Sequence, residues 1–394
     1  MFKKEDETLN AIVVVGFNRL NSILRLLNSL VNAKYEEKVP LVISIDKSDN
    51  EELYHAVYDF DWPYGNKYVI IQPKRCGLKE HIYKCGDLSR FFKSVTILED
   101  DLVVSPFFYK YICRTVEKYG ENPNVAGISL YRNEYNGFNG LPLYFLNVGY
   151  DVFAYQSTST WGETFTYKMW SAFRRWLSDW EEDFSSIDMY LYIKGWGKAW
   201  SKYYEAYIIE QDKYFIYPYL SLSTNNNDAG THVTQSDNTY QTELLFGNKS
   251  YALPDFDNLV KYDTYAQCEL LKSHLDLDNI AIDLNGNREN LSQFDYLLSI
   301  RHLDYKVIKS FGAKLRPIEL NVLMDVHGND IFLYDTHVIK CNHYGKSVKK
   351  ILSDYYLRDF NHSLLLNKAY RNSFNHIKLC TQRFWKKLKM FTLR

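Results

Sequence analysis

Along its N-terminal part the chain groups apolar residues into short runs separated by segments of helical spacing. Ala11 to Gly16 (AIVVVG) is a continuous, mostly β-branched run, as expected of a strand buried on both faces of a parallel sheet. Asn18 follows in an N-cap position, and Leu20, Leu24, Leu27 and Val31 then repeat at helical spacing. LVISID (41–46) and KYVIIQ (67–72) read as further strands, with helical stretches near 50–60 and from about Leu78. SVTILEDD (94–101) comes next, then a helix started by Ser105-Pro106 and running through Tyr119, then the strand VAGISLY (125–131). Strands alternating with helices predict βαβ units and a mostly parallel sheet.

From about 155 the texture changes. Six of the eight tryptophans fall between Trp161 and Trp200, in a mainly helical region. Phe173, Trp176, Leu177 and Trp180 follow a core stripe there, whereas Trp161, Trp196 and Trp200 are the better placed to stack on a ligand. DKYFIYPYLSL (212–222) is strand-like and leads into the polar loop STNNNDAGTHVTQSDN. Beyond about 255 the pattern weakens into short mixed elements, a C-terminal extension to which no fold is given. The expected division is 1–255, 256–375 and a basic tail, 376–394.

Composition narrows the class. The chain has 394 residues, 46% hydrophobic and 24% charged, which excludes disorder and a disulfide miniprotein. Forty-seven basic against 48 acidic side chains give a net charge of -1, so no global field points to nucleic acid. Six scattered cysteines without a CxxC pair argue against structural zinc and favour a reducing compartment. MFKKEDETLN lacks the apolar core of a signal peptide, and AIVVVGF is too short to span a bilayer, so a cytoplasmic protein is expected. The tail HIKLCTQRFWKKLKMFTLR is basic, with Ile377, Phe384, Leu388 and Phe391 on one helical face. It fits either peripheral contact with the inner face of an anionic membrane or ordinary packing on its own domain.

The sharpest chemical feature is Glu99-Asp100-Asp101 directly after an apolar strand. In open α/β sheets ligands bind at the carboxyl ends of strands, and three adjacent carboxylates repel one another unless a cation offsets them. Oxygen donors select Mg²⁺ or Mn²⁺. Capping of the next helix already belongs to Ser105-Pro106, which weakens a purely structural reading of the acids. Gly16-Phe17-Asn18-Arg19 ends the first strand with a close-approach glycine, a helix start and a cation, all suited to a nucleotide. Asp46 ends the second strand, where it could accept from a base or ribose. QPKRCG (72–77) ends the third, with Lys74, Arg75, Gly77 and Lys79 near potential phosphates.

In their order, VVVGFNR, ISID, QPKRCGLKEHI and ILEDDLVVSPFFYKY resemble a GT-A (Rossmann-like) glycosyltransferase. The resemblance is closest to the N-acetylglucosaminyltransferase I-like family and its relatives among bacterial polysaccharide glycosyltransferases. It covers about 11–235. It implies that Arg19 and Asp46 hold the uracil of a UDP-sugar and that Asp101 ligates a metal bridging the diphosphate. Glu99 and Asp100 would contact sugar and ribose, and the GLKEH segment would lie along the nucleotide and phosphates. Ser159-Thr160-Trp161-Gly162 resembles the element that floors the acceptor site, and Gly230-Thr231-His232 the closing segment near the donor, with His232 at the diphosphate or metal. Where relatives tend to carry an Asp two residues before a tryptophan as general base, this chain reads Lys194-Gly195-Trp196. Asp183, Asp188 and Glu205 are the nearby substitutes, Asp188 the preferred one. The expectation is therefore a metal-dependent transferase, with Mn²⁺ or Mg²⁺, moving a hexose or GlcNAc from a UDP-sugar to a glycan acceptor, with inversion. Two other readings compete: a non-catalytic scaffold that binds nucleotide-sugar or glycan, and a nucleotidyltransferase, although GFNRLNS lacks the Gly-rich phosphate loop of the latter.

Overall fold

A computed structural model describes residues 2–137, 140–226, 228, 240–357 and 381. The central sheet is assembled as the apolar runs dictate. β1 (Asn10–Gly16), β2 (Leu41–Ile45) and β4 (Ser94–Glu99) are buried along nearly their whole length, while β3 (Lys67–Ile71) is half-buried. These four pair in parallel in the order β4-β1-β2-β3. The crossovers are α1 (Leu20–Val31), α2 (Glu51–Asp59) and α3 (Leu78–Gly86).

Register decides where the chemistry goes. Val15 pairs with Glu99 and Gly16 with Ile45, so three parallel strands end level, and the loops leaving them meet along one rim. After β4 the chain makes β5 (Leu102–Val104) and α4 (Phe108–Tyr119) before β6 (Val125–Ser129). A short hairpin of β7 (Tyr135–Asn136) and β8 (Leu141–Pro142) comes next. β9 (Val152–Tyr155) and β10 (Glu163–Phe165) precede the helices α5 (Tyr167–Asp179), α6 (Leu191–Lys194) and α7 (Trp200–Glu210).

β11 (Tyr214–Pro218) returns to the main sheet and β12 (Ser223–Asn225) pairs with β5. With β13 (Lys261–Tyr262) the sheet reaches nine strands, ordered β13-β9-β11-β6-β10-β4-β1-β2-β3. Its second half is mixed: β10 runs antiparallel to both β4 and β6, and β9 antiparallel to β11.

The stretch beyond 255, where the apolar pattern is weak, forms a four-stranded sheet. α8 (Leu270–Leu275) leads into β14 (Ile280–Asp283), β15 (Tyr296–Ser299), β16 (Tyr305–Phe311), α9 (Leu320–Leu323), β17 (Ile331–Ile339) and α10 (Val348–Tyr356). The strand order is β14-β15-β17-β16. Ile282, Leu298 and Leu333 of this sheet share one apolar cluster with Phe145, Phe153 and Tyr262 of the first part.

Three local expectations are corrected. The buried stripe of α1 is Ile23, Leu26, Leu27 and Leu30 (i, i+3, i+4, i+7) rather than Leu20, Leu24, Leu27 and Val31. Asn18 does not cap α1: Arg19 holds that position without a side-chain cap, and the Asn18 carbonyl instead accepts from Asn50 Nδ2. Helix α4 begins at Phe108, later than Ser105-Pro106. Ser105 still shapes the entry, because its Oγ accepts from the Phe107 N–H and its carbonyl from the Phe108 N–H.

Candidate functional site

At the end of β4 the chain leaves the sheet through Glu99, Asp100 and Asp101, and at the end of β1 it turns into α1 through Phe17, Asn18 and Arg19. Because the two strands are neighbours, Arg19 reaches across. Its guanidinium donates to both oxygens of Asp100, with Nε 3.3 Å from Oδ2, and lies 3.3 Å from Asp101 Oδ2. Asp100 is buried, and Asp101 is the more open of the two acids. Gly16 is pressed between helix and sheet: a Cβ there would lie 3.0 Å from Ile23 Cδ1 and 3.1 Å from Ile45 Cδ1.

One guanidinium serves several acids. Burial pushes Glu99 up to about 8, with Asp101 and Asp100 adding to the shift and Arg19 opposing it. Burial also raises Asp100 to about 6, against the hydrogen bond and charge of Arg19, with Asp101 and Asp228 adding. Burial on its own would lower the Arg19 pKa, but the hydrogen bond and charge of Asp100, reinforced by Asp101, hold it above the usual guanidinium range.

Two further carboxylates belong to this neighbourhood. Glu163 lies opposite Ile97 in the β10–β4 ladder, which puts it on the face of β4 that also carries Glu99, one diagonal step away. It is fully buried, and neither carboxylate oxygen makes a hydrogen bond. Burial first, then the charge of Glu99, lift its pKa well above the carboxylate range. Asp228 accepts from Ser22 Oγ at 2.6 Å, from Asn226 Nδ2 at 3.2 Å and from Arg25. The Asn226 N–H also donates to the Asp101 carbonyl at 2.8 Å, which ties this loop to the cluster. Of these two, Glu163 announces itself as a lone acid in a buried strand directly after Trp161-Gly162. Asp228 sits in a polar loop with no such mark.

Asp46 has a different job in the free protein. It accepts from the N–H groups of Lys47 at 2.9 Å, Cys76 at 2.8 Å and Gly77 at 2.9 Å, and so clamps the β3–α3 loop to the end of β2. Gly77 takes φ +77°, a left-handed conformation that glycine adopts without a Cβ penalty. Behind this clamp His81 is buried, with Nε2 2.7 Å from Ser44 Oγ, and burial lowers its pKa to about 4. On the loop, Arg75 stacks over Phe17 at 4.7 Å from the ring centroid, and Lys79 over Tyr203 at 3.7 Å.

The candidate bases separate. Asp188 is half-exposed, accepts from the Tyr265 hydroxyl at 2.8 Å and lies 3.5 Å from Arg288 Nη1; among the described residues no hydrogen bond or ion pair links it to the strand-end cluster. Asp183 is exposed and accepts from the Ser185 N–H and hydroxyl, which lower its pKa. Glu205 is buried, accepting from the Thr158 N–H at 2.6 Å and Thr264 Oγ1 at 3.3 Å, and burial raises it to about 7. An acid enclosed in that way has no access to an acceptor hydroxyl.

The tryptophans also separate. Trp200 is 2% exposed, so the expectation that it offers a stacking face is corrected: it packs against Tyr204 in the core. Trp161 stands edge-on to Tyr131 at 4.7 Å and tilted to Tyr240 at 5.3 Å, and Trp196 is half-buried beside Tyr192. Gly230, Thr231 and His232, and the basic tail apart from residue 381, lie outside the described residues.

Among the described residues no three Asp, Glu, His or Cys side chains converge to hold a metal. The donor set at β4 still fits a divalent ion of the kind bound through one or two carboxylates, with water and phosphate supplying the rest. The Asp101 side chain stays partly open to solvent, and Asp100 and Glu99 stand beside it, raised chiefly by burial and secondarily by the neighbouring acids.

No protein-family profile matches the chain, and no curated protein matches it. Among solved structures it is similar to S. aureus TarS 1-349 in complex with UDP-GlcNAc, with TM-score 0.38 and 11% identity over 58% of this chain and 62% of that one. It is similar also to S. aureus TarS, with TM-score 0.34 and 13% identity over 54% of this chain and 36% of that one. A third is the mannosyltransferase PcManGT from Pyrobaculum calidifontis in complex with GDP-Man and Mn²⁺, with TM-score 0.33 and 11% identity over 54% of this chain and 57% of that one. The match spans less than two thirds of the length of each of these proteins.

Proposed function

We propose that the protein is a GT-A-type glycosyltransferase that moves a hexose or GlcNAc from a UDP-sugar to a glycan acceptor in bacterial surface polysaccharide assembly, with inversion. The observation that carries the reading is the meeting, at the level ends of three parallel strands, of Arg19, the loop held by Asp46 and the acids Glu99, Asp100 and Asp101. Open α/β sheets take their ligands there.

On this reading Asp101 holds a divalent ion, Mn²⁺ or Mg²⁺, whose contribution when bound is to neutralise the leaving diphosphate. The chain's own residues do the rest. Arg19 and Asp46 face the base of the nucleotide, and the 72–79 loop, with Arg75, Gly77 and Lys79, lies along the phosphates. Gly16, Phe17 and Asn18 line the approach of the nucleotide, and Glu99 and Asp100 meet ribose and sugar. Asp188 is the proposed acceptor of the proton from the attacking hydroxyl; its side chain is half-exposed, open to an incoming acceptor, and is oriented by the hydrogen bond from Tyr265.

His232 is proposed as a second group near the ion, and the tail as a peripheral contact with the cytoplasmic membrane face. No helix among the described residues is long and apolar enough to cross a membrane. The division at 255 and 375 is retained as a proposal.

The test is calorimetric titration of the full chain with UDP, UDP-GlcNAc and GDP-mannose, each with Mn²⁺ and with EDTA, alongside Asp101→Ala. Metal-dependent binding of the uridine ligands that disappears in the variant is expected. If no nucleotide binds under any condition, the reading falls. Asp188→Asn is expected to leave donor binding intact and to lower turnover, which separates the base from the donor site.

A further inference from the structure

Away from the strand-end cluster, the four-stranded sheet carries an open cleft of about 600 Å³. That size lies within the ~300–1,000 Å³ typical of small-ligand sites. Its walls come from β16, from the turn before β17 and from the segment 342–346 that lies beyond β17. The lining is polar but electrically balanced. Lys346 Nζ donates to Asp330 Oδ1 at 2.9 Å, so the ammonium and the carboxylate in the wall neutralise each other. An anionic ligand would meet the Asp330 carboxylate beside the ammonium, and a cation would meet a carboxylate whose two oxygens already accept from Lys346 and the Ala313 N–H. Hydrogen-bonding capacity without net charge selects a neutral, hydroxyl-rich ligand.

The cleft also has an aromatic wall held in place. The Tyr344 ring stacks on His302 at 3.9 Å and 1°, with Phe332 edge-on at 5.0 Å, and its hydroxyl donates to the Leu303 carbonyl at 2.6 Å. A fixed ring beside adaptable amides suits the apolar faces and hydroxyl edges of a sugar. Asn329 and His343 line the same cleft as exposed side chains. Among the described residues Asn329 uses only its Oδ1, accepting from Ser310 Oγ at 2.9 Å, which leaves its amide donors for a ligand.

We infer that the cleft between β16 and the 342–346 segment is a second, non-catalytic saccharide site that holds a neutral stretch of glycan chain. The inference deepens the transferase reading and depends on it only for calling that glycan the acceptor.

The test uses the full chain and three neutral oligosaccharides, chitotetraose, maltotetraose and cellotetraose, followed by saturation-transfer NMR, with inorganic phosphate as an anionic comparison. At least one tetrasaccharide is expected to bind, and Asn329→Ala with His343→Ala to weaken it about tenfold. Gly345→Trp fills the cleft from its wall, where a Cβ meets nothing within 4 Å, and is expected to abolish binding with the thermal melt unchanged. Binding should persist in Asp101→Ala, which separates this cleft from the strand-end site. No tetrasaccharide binding up to about 10 mM, binding indifferent to Gly345→Trp, or binding of phosphate at the cleft would each overturn the inference. UDP titration in the same samples keeps the two readings apart: saccharide binding without UDP binding defeats the transferase and leaves the cleft standing.

Discussion

Asp46→Asn gives the sharpest single test of how the rim is built. In the free protein Asp46 accepts three backbone N–H groups, two of them from Cys76 and Gly77 on a different crossover. Hydrogen bonds to a charged acceptor contribute about 1.5–3 kcal/mol each when one partner is removed. Asparagine keeps one oxygen. Whichever way the amide turns, its NH₂ faces at least one of these N–H donors, and the remaining bonds lose their ionic character. Asp46 is only 4% exposed, so water cannot easily replace what is lost. The expected cost is about 2–4 kcal/mol in urea unfolding. Hydrogen exchange of the Cys76 and Gly77 amides should accelerate well beyond that of β1 and β2, because the loop opens before the sheet does. A loss below about 0.5 kcal/mol, within the range of ordinary surface changes, with unchanged exchange at Gly77, would refute the clamp. It would leave Asp46 free to serve only a bound nucleotide.

The same geometry has other consequences. Glu163→Gln should gain on the wild type as pH rises from 5 to 8: native Glu163 keeps its proton while the unfolded chain loses one near pH ~4.3, so wild-type stability falls over that window. Thermal melts checking this would defeat the argument if the difference between the two proteins were the same at pH 5 and pH 8. Arg19→Met should cost about 3 kcal/mol at pH 7.5 by leaving Asp100 and Asp101 uncompensated, and recover part of it at pH 5.5, where Asp100 takes up a proton; urea unfolding at the two pH values checks it. Gly162→Ala should lose about 1–3 kcal/mol in urea unfolding, because φ is +96° and a Cβ would lie 3.2 Å from Leu130 and from Ser223 Oγ.

The half of the fold that positions the site is legible because its strands are long, β-branched and separated by helices of one clear stripe. β1, β2 and β4 can be read as buried strands from composition alone, and the loops beyond their last residues then lie on one rim by topology. Antiparallel β9 and β10 are not legible: they have four and three residues, too few to show a period, inside a region dominated by aromatic helices. The same shortness hides β14 and β15. β16 carries only a weak inside–outside alternation, with one fully buried residue. At the site, residue types point correctly to charge at the end of β4 but not to its internal partners. Nothing in NAIVVVGFNR indicates that Arg19 reaches Asp100, since that contact depends on which strand lies beside β1. Trp200 misleads for a related reason: in α7 nearly every position from Trp200 to Ile208 is buried, so the helix has no solvent face against which a stripe could be recognised.

The gathering of buried acids at the rim bears on why it is built in this way. Glu99, Asp100, Asp101, Glu163 and Asp228 gather around two guanidinium groups, Arg19 and Arg25, and burial holds three of the acids above their ordinary titration range. A fold selected for stability alone would replace Glu163 or Glu99 with an apolar residue of similar volume, which removes a buried acid without loss of packing. Keeping them makes the rim costly through burial, and positive charge bound there would offset whichever of the acids are ionised. Whatever ion or cationic group binds the native chain there then stabilises it in proportion to its occupancy. On the transferase reading Asp101 would hold the ion and share the neutralising role that Arg19 plays here, while Arg19, bonded to both oxygens of Asp100, would stay anchored at the edge of the nucleotide site.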